Sequence, residues 1–210
     1  EAVGPQSLVA RLRSAGGRLE LAEGTAIGLA VGLGGVGIRL EDLARLYAGL
    51  ATGGETRPLV RRLGEPGPES ERRRLTDPVA AWYVADILKG APPPQNAVAG
   101  RLAFKTGTSY GYRNAWAIGF DGRHVIGVWV GRPDGAPVPG LIGIDAAAPI
   151  LMDAFARLGG TTPLRSAPPG ILEASAATLP EPLRRFRSPH AASVAASPPP
   201  EIAYPPKNVR

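Results

Sequence analysis

The sequence predicts an α+β protein in which helices flank an antiparallel sheet. Three observations support this: three helical patterns lie before residue 90, two apolar runs within residues 113–130 are separated by Asp121-Gly122, and a further helical pattern follows them. Helices and hairpin-connected strands that are segregated along a chain are typical of this class. Of the 210 residues, 44% are hydrophobic, which is enough for one packed core of ordinary size.

Two helices are predicted in the N-terminal quarter. Residues 5–15 begin at Pro5, which suits a first helical turn, and end before a glycine pair. Residues 40–52 repeat apolar side chains at helical spacing and end at Gly53-Gly54, so their apolar stripe is predicted to face the core. Between them, the glycine-rich residues 27–37 match neither a phosphate-binding loop nor a dinucleotide fingerprint. We expect close backbone packing near a site there.

A third helix is predicted from Asp77-Pro78 to about Lys89, because aspartate is a favoured N-cap and proline a favoured first-turn residue. Its inward-facing side chains are expected to be Val79, Trp82, Tyr83 and Ile87. The charged segment before this helix, residues 64–76, is predicted to be a surface loop.

Three strands and a closing helix are predicted after residue 100. The strands are residues 101–106, 113–121 and 123–130, and the last two form a hairpin across Asp121-Gly122. Residues 145–158 then form a helix that ends at a glycine pair. The order of helices, antiparallel meander and covering helix completes the α+β assignment.

The first of these strands leads into the most informative motif of the chain, Lys105-Thr106-Gly107-Thr108-Ser109. A lysine ammonium supplies positive charge, and the hydroxyl groups supply directed hydrogen-bond donors for a carboxylate. A glycine lets the backbone of a ligand lie close to the strand. The pattern therefore predicts a site that holds a carboxylate, with Lys105 as the charged group. K-T-G is also a known signature of serine enzymes that react with β-lactams, where it accompanies Ser-x-x-Lys and a second serine box.

Neither companion box is present in these 210 residues. Serine is absent three positions before each lysine, where the chain has Asp86, Leu102 and Tyr204. It is also absent two positions before each asparagine, where the chain has Pro94, Tyr112 and Pro206. The sequence therefore contains one wall of such a site and lacks its nucleophile.

Composition argues against several other classes of function. The chain has no cysteine, and His124 and His190 are isolated, so neither a metal site nor a Ser-His-Asp triad is predicted. The net charge of +6 comes mainly from scattered arginines, without the interleaved aromatic residues of a single-strand nucleic-acid binder. No nucleic-acid partner is therefore predicted. No apolar run is long enough to span a membrane.

The motif and its flanks resemble the class A penicillin-binding proteins of the 1C type. The residues that carry this resemblance are K-T-G-T-S-Y-G-Y-R-N-A-W-A-I-G-F and, shortly after, V-I-G-V-W-V-G-R-P-D-G. The resemblance implies a β-lactamase/transpeptidase-like fold, incomplete in this chain, with residues 1–160 as the C-terminal part of the transpeptidase domain. Residues 161–210 are rich in proline and alanine, and they resemble the linker and the start of a truncated C-terminal domain.

The family implies a role for each motif residue. Lys105 would steer the terminal carboxylate of the substrate and take part in proton transfer. Thr106 and Thr108 would bind that carboxylate through their hydroxyls, and the Thr108 N–H would be one oxyanion donor. Gly107 would keep the strand edge open, and Ser109 would complete the substrate-binding stretch. No metal or organic cofactor is implied.

The resemblance also implies the activity and location of a parent protein. That protein would be a peptidoglycan D,D-transpeptidase with a glycosyltransferase module upstream, periplasmic and anchored in the bacterial inner membrane. Its partners would be peptidoglycan stem peptides and β-lactams, and this segment itself would not touch the membrane. We expect the chain to be a fragment that is inactive and poorly stable alone, because the serine boxes would lie upstream and two strands of the sheet would be missing.

Three alternatives remain open from the sequence. A β-lactamase or a D,D-carboxypeptidase would use the same wall with water in place of the acceptor amine. A non-catalytic module would bind β-lactams or peptidoglycan without turnover. A basic nucleic-acid binder would show strong salt-dependent retention on DNA.

Overall fold

The computed structural model describes residues 3–21, 24, 26–62, 64, 71–95, 97 and 100–172. The chain divides into two compact units, Glu1–Ile171 and Leu172–Arg210, and every element below belongs to the first. Its helices are α1 (Pro5–Ser14), α2 (Leu40–Ala51), α3 (Pro78–Lys89) and α4 (Ala148–Arg157), with a 3-10 helix at Leu29–Leu33 and a π-helix at Gly143–Ala147. Its strands are β1 (Leu19–Glu20), β2 (Gly37–Ile38), β3 (Glu55–Thr56), β4 (Arg73–Arg74), β5 (Ala103–Thr108), β6 (Asn114–Phe120) and β7 (Val125–Gly131). The described helices include none with the length and apolar character needed to cross a membrane.

A mixed architecture of helices and antiparallel strands is therefore observed, as predicted. β5, β6 and β7 form a meander in that order, with Lys105 opposite Ile118 and Trp116 opposite Trp129. β1 pairs with β2 and β3 with β4 in two short antiparallel ladders. The predicted strands are each found: β5 and β7 lie one or two residues further toward the C-terminus than predicted, and β6 is one residue shorter at each end.

The meander is covered on both faces by helices. On one face, Phe104 of β5 and Ala115 and Ala117 of β6 form the main core with Leu151 and Phe155 of α4. On the other face lies α2. Its Leu40 side chain reaches the backbone of Gly127, and Tyr47 makes an edge-to-face ring contact with Phe120. Because β-strand side chains alternate between faces, residues 104, 106 and 108 share the α4 side and residues 105 and 107 the α2 side.

α1 and α2 occupy the predicted positions for the predicted reasons. Pro5 is at the first turn of α1. Beyond α2, Gly54 has φ +94° and lies against the carbonyl of Thr76, a place where no side chain fits. The glycine-rich segment 27–37 forms the 3-10 helix and β2. Its buried Val31 packs with residues of α1 and β1, so the segment contributes to a small N-terminal core.

α3 begins at Pro78 with Asp77 as its N-cap, whose carboxylate accepts a hydrogen bond from Ala80 N at 2.9 Å. The prediction of its inward face was wrong for Ile87, which is 72% exposed, and only Ala81 is buried on this helix. The apolar residues of α3 are distributed around the whole helix, so their spacing does not define which face packs against α2.

The segment predicted as the charged loop 64–76 is only partly a loop. Arg73 and Arg74 form β4, which pairs with Thr56 and Glu55, and residues 65–70 lie outside the described residues. An arginine pair on a strand of two exposed residues has no apolar alternation by which the sequence could reveal it. Residues 173–210, most of the predicted linker and truncated domain, also lie outside the described part.

Candidate active site

The K-T-G residues lie on β5, an edge strand of the meander. β6 pairs with one side of β5, and no strand of the described residues pairs with the other. An edge strand presents a row of backbone N–H and C=O groups that are free to bind an extended ligand. The motif therefore lies where an extended ligand has access to the backbone.

The register identifies which backbone groups face outward. Ser109 N donates to Asn114 O at 2.9 Å, so this pair is hydrogen-bonded across β5 and β6. In an antiparallel ladder, hydrogen-bonded and non-hydrogen-bonded pairs alternate. The backbone groups of Lys105 and Gly107 therefore face β6, whereas those of Thr106 and Thr108 face the free edge. The Thr106 carbonyl accepts a hydrogen bond from Lys105 Nζ at 2.6 Å.

The side chains of the motif divide between the two faces of the sheet. Lys105 is exposed, and its bond to Thr106 O draws the ammonium back along the outer edge. The Thr106 hydroxyl is half-buried and makes no hydrogen bond to any described residue. Thr108 Oγ1 accepts a hydrogen bond from Gly143 N at 2.9 Å. The strand thus carries one ammonium on one face of the sheet and two hydroxyls on the other.

Gly107 differs from a glycine that the fold requires. A Cβ added at Gly107 would meet only the Trp116 Cβ, at an ordinary distance of 3.6 Å. At Gly119 on β6, an added Cβ would lie 2.9 Å from the Phe104 Cβ and 3.1 Å from a Leu151 methyl. Glycine inside a strand lowers stability unless something approaches its backbone closely. On the side where a Gly107 side chain would lie, no described residue approaches more closely than the Trp116 Cβ.

Ser109 closes the β5–β6 hairpin. Its Oγ accepts hydrogen bonds from Asn114 N at 2.9 Å and from Asn114 Nδ2 at 3.3 Å. Asn114 Oδ1 in turn accepts a hydrogen bond from Trp129 Nε1 at 2.9 Å. The Ser109 hydroxyl therefore orders the end of the strand and retains its own proton for another partner.

Sequence reasoning did not identify Gly143 or Asn114 as residues of this region. Gly143 is 35 residues from the threonine it contacts, and no local pattern indicates such a pairing. Asn114 has a local signal, because it is a polar residue at the start of an apolar strand directly after the motif. In the part of the chain that the structure describes, no three His, Asp or Glu side chains are grouped closely enough to hold a metal ion.

A lysine, two threonines and an accessible glycine thus lie on the edge strand of a helix-covered antiparallel sheet, which agrees with the K-T-G signature of serine enzymes that react with β-lactams. The comparisons make this more specific. The chain is 45% identical over 155 residues to penicillin-binding protein 1C of Escherichia coli, covering 72% of this chain and 20% of that protein. It is 32% identical over 120 residues to penicillin-binding protein 1B of Vibrio cholerae, covering 50% of this chain and 15% of that protein. No protein-family profile matches the chain.

Solved structures agree at the level of the fold. The chain aligns with penicillin-binding protein 1A of Haemophilus influenzae with a TM-score of 0.64 and 18% identity, covering 81% of this chain and 33% of that one. It also aligns with a peptidoglycan glycosyltransferase of Burkholderia ambifaria with a TM-score of 0.50 and 18% identity. That alignment covers 77% of this chain and 59% of the other.

The predicted resemblance is confirmed: the chain belongs to the class A penicillin-binding proteins and is most like the 1C type among the relatives named here. It spans about a fifth or less of the length of the two curated relatives, 20% and 15%.

Proposed function

We propose that the outer edge of β5 is the carboxylate-binding and oxyanion wall of a peptidoglycan D,D-transpeptidase that also reacts with penicillin. The observation that carries this proposal is the free backbone edge at Thr106 and Thr108 beside a glycine that the described fold does not require. A polar edge that is open on its ligand side and has a lysine at its centre suits a substrate with a free carboxylate.

Each residue has a defined role in this proposal. The Lys105 ammonium attracts the terminal carboxylate and assists proton transfer at the reacting centre. The Thr106 and Thr108 hydroxyls donate hydrogen bonds to that carboxylate, and Ser109 extends the same wall. The outward-facing Thr108 N–H donates to the oxyanion that develops during acyl transfer. One such donor typically stabilises the transition state by about 3 kcal/mol.

The nucleophile of the proposed reaction lies outside these 210 residues, because the chain contains no Ser-x-x-Lys box. In the full-length protein that contains this chain, an activated serine would attack the stem peptide, expel its terminal D-alanine and form an acyl-enzyme. An amine of a neighbouring stem peptide would then take the acyl group. We further propose a glycosyltransferase module in that protein, a periplasmic location and an inner-membrane anchor.

The domain assignment is also part of the proposal. Residues 1–160 would complete the transpeptidase domain, and residues 161–210 would lead into a further C-terminal domain. No organic cofactor or metal ion takes part in the proposed chemistry, and nucleic acid is not a proposed partner.

Replacing Gly107 by alanine tests the proposal, because the new methyl group fits the described fold but lies on the substrate edge. We expect the second-order rate constant for acylation of the full-length protein by a fluorescent penicillin to fall roughly 10- to 100-fold, as misplacement of a ligand by about 1 Å does. The thermal unfolding midpoint should stay close to that of the wild type, since the methyl contacts only Trp116 Cβ at 3.6 Å.

Gly32→Ala is the matched control, because its added Cβ has no neighbour within 4 Å among the described residues. It should leave both the rate constant and the unfolding midpoint unchanged. If the Gly107→Ala protein is acylated with the rate constant of the wild type, no ligand approaches this edge.

A further inference from the structure

Gly143 connects the end of the K-T-G strand to the segment before α4. Its backbone N–H donates to Thr108 Oγ1 at 2.9 Å. Gly143 is buried and is the first residue of the π-helix Gly143–Ala147, which continues directly into α4. π-helical turns are rare and occur frequently at functional sites. The hydrogen bond therefore joins the proposed ligand wall to an unusual helix start on the face opposite Lys105.

The packing at Gly143 leaves no room for a side chain. An added Cβ would lie 2.4 Å from Gly107 O, 2.7 Å from Trp116 O and 3.0 Å from Gly107 N. Gly107 and Trp116 are directly opposite each other in the β5–β6 ladder. Because all three neighbours are backbone atoms, a larger residue at position 143 must displace either β5 or the π-helix. Gly143 therefore fixes the position of β5 relative to α4.

The same contact determines how the Thr108 hydroxyl can interact with a ligand. A hydroxyl has one proton to donate and two lone pairs that accept hydrogen bonds. Gly143 N–H occupies an acceptor site, so the hydroxyl proton stays available to a second partner. Hydrogen bonds in a chain strengthen one another, which makes this hydroxyl a better donor to an anion. Thr108 is exposed, so an anion at the edge can reach it.

We propose that Gly143 is a positioning residue for the substrate carboxylate. Its N–H orients the Thr108 hydroxyl so that the hydroxyl donates to the carboxylate, and its missing side chain lets β5 lie at the required distance. This inference rests on the function proposed above. It adds to the site a segment that controls recognition of the carboxylate without touching the ligand.

A double-mutant cycle in the full-length protein tests this role. The measured quantity is the rate constant for acylation by a penicillin divided by that for its methyl ester, which lacks the carboxylate anion. We expect Gly143→Ala and Thr108→Val each to lower this ratio roughly 10-fold or more, the usual effect of losing a hydrogen bond to a charged group. Because both changes act through one hydroxyl, the ratio for the double variant should be no lower than the ratio for the more affected single variant.

Thr108→Ser keeps a hydroxyl for Gly143 N–H and should retain the wild-type ratio, and Gly32→Ala should do the same. If Gly143→Ala only impairs folding, the labelled fraction falls while the ratio of the remaining protein stays at the wild-type value, which overturns the positioning role. Strictly additive effects of the two changes, or equal ratios for Thr108→Val and Thr108→Ser, also overturn it.

If Gly107→Ala and Lys105→Ala leave acylation unchanged, the proposed function itself fails. If those two variants are impaired and Gly143→Ala keeps the wild-type ratio, only the role of Gly143 fails.

Discussion

Lys105→Ala is expected to lower the second-order rate constant for acylation of the full-length protein by a fluorescent penicillin roughly 10- to 100-fold. This range corresponds to about 1.5–3 kcal/mol for a hydrogen bond to a charged group. Lys105 Nζ lies on the outer edge of β5, where its only hydrogen bond to the described residues is to Thr106 O. Loss of the ammonium removes the positive charge that would attract the ligand carboxylate, so the effect should lie mainly in ligand capture.

Lys89→Ala serves as the matched control for this measurement. Lys89 is also an exposed lysine, but it lies at the end of α3 and takes no part in the proposed wall. The Lys89→Ala protein should be acylated by the penicillin at the wild-type rate. Lys105→Arg keeps the charge in a larger, planar group and should recover only part of the rate, because the two cations are not geometrically equivalent. Equal rates for Lys105→Ala and Lys89→Ala would contradict the proposed role.

The largest effect on stability is expected at Asp121, which is 1% exposed at the turn between β6 and β7. Its carboxylate accepts hydrogen bonds from three backbone N–H groups, those of Arg123 at 2.8 Å, His124 at 2.6 Å and Thr162 at 2.9 Å. The hydrogen bond from Thr162 connects the segment after α4 to the sheet. Asp121→Ala should lower the free energy of unfolding by about 3 kcal/mol, because it leaves these donors without their acceptor.

Acid titration provides a second measurement of the same group. Burial raises the pKa of Asp121, but the hydrogen bonds from Thr162, His124 and Arg123 outweigh it, and the net pKa lies below the ordinary value. Stability from a carboxyl with a lowered folded pKa is fully present above the unfolded pKa, near 3.9, and is lost as the pH falls through the folded pKa. The stability difference between the wild type and Asp121→Asn should therefore be constant near neutral pH and shrink below about pH 4.

Asp134→Ala is the control for both stability measurements. Asp134 also accepts a hydrogen bond from a backbone N–H two residues ahead, but it lies in an exposed loop and pairs with Arg132. Its loss should affect the unfolding midpoint far less than the loss of Asp121. If the two alanine variants unfold at the same midpoint, the Asp121 hydrogen bonds do not stabilise the segment after α4.

Local signals account for the helices and strands that the sequence predicts correctly. Proline at a first turn, aspartate at an N-cap and glycine pairs after a helix act within a few residues, and they place α1, α2 and α3. The hairpin of β6 and β7 is also local: β6 ends at Phe120, β7 begins at Val125, and Asp121 N donates to His124 O at 3.0 Å in the connection between them. The K-T-G stretch was recognisable because its chemistry lies in consecutive residues.

The features that the sequence did not reveal depend on residues far apart in the chain. The buried face of α3 depends on which neighbour packs against it, and β4 depends on pairing with β3, whose Thr56 precedes Arg73 by 17 residues. The contact between Gly143 and Thr108 requires the whole meander and the start of α4 to be in place. A free strand edge is likewise visible only once the strand order is known.

A crystal structure of the full-length protein acylated by a penicillin would test the central claim most directly. We expect the ligand to lie along the outer edge of β5, with its carboxylate within hydrogen-bonding distance of the Thr106 and Thr108 hydroxyls and near Lys105 Nζ. Its acyl oxygen should accept a hydrogen bond from Thr108 N. A covalent adduct whose carboxylate is bound elsewhere, with the β5 edge in contact with solvent alone, would contradict the account.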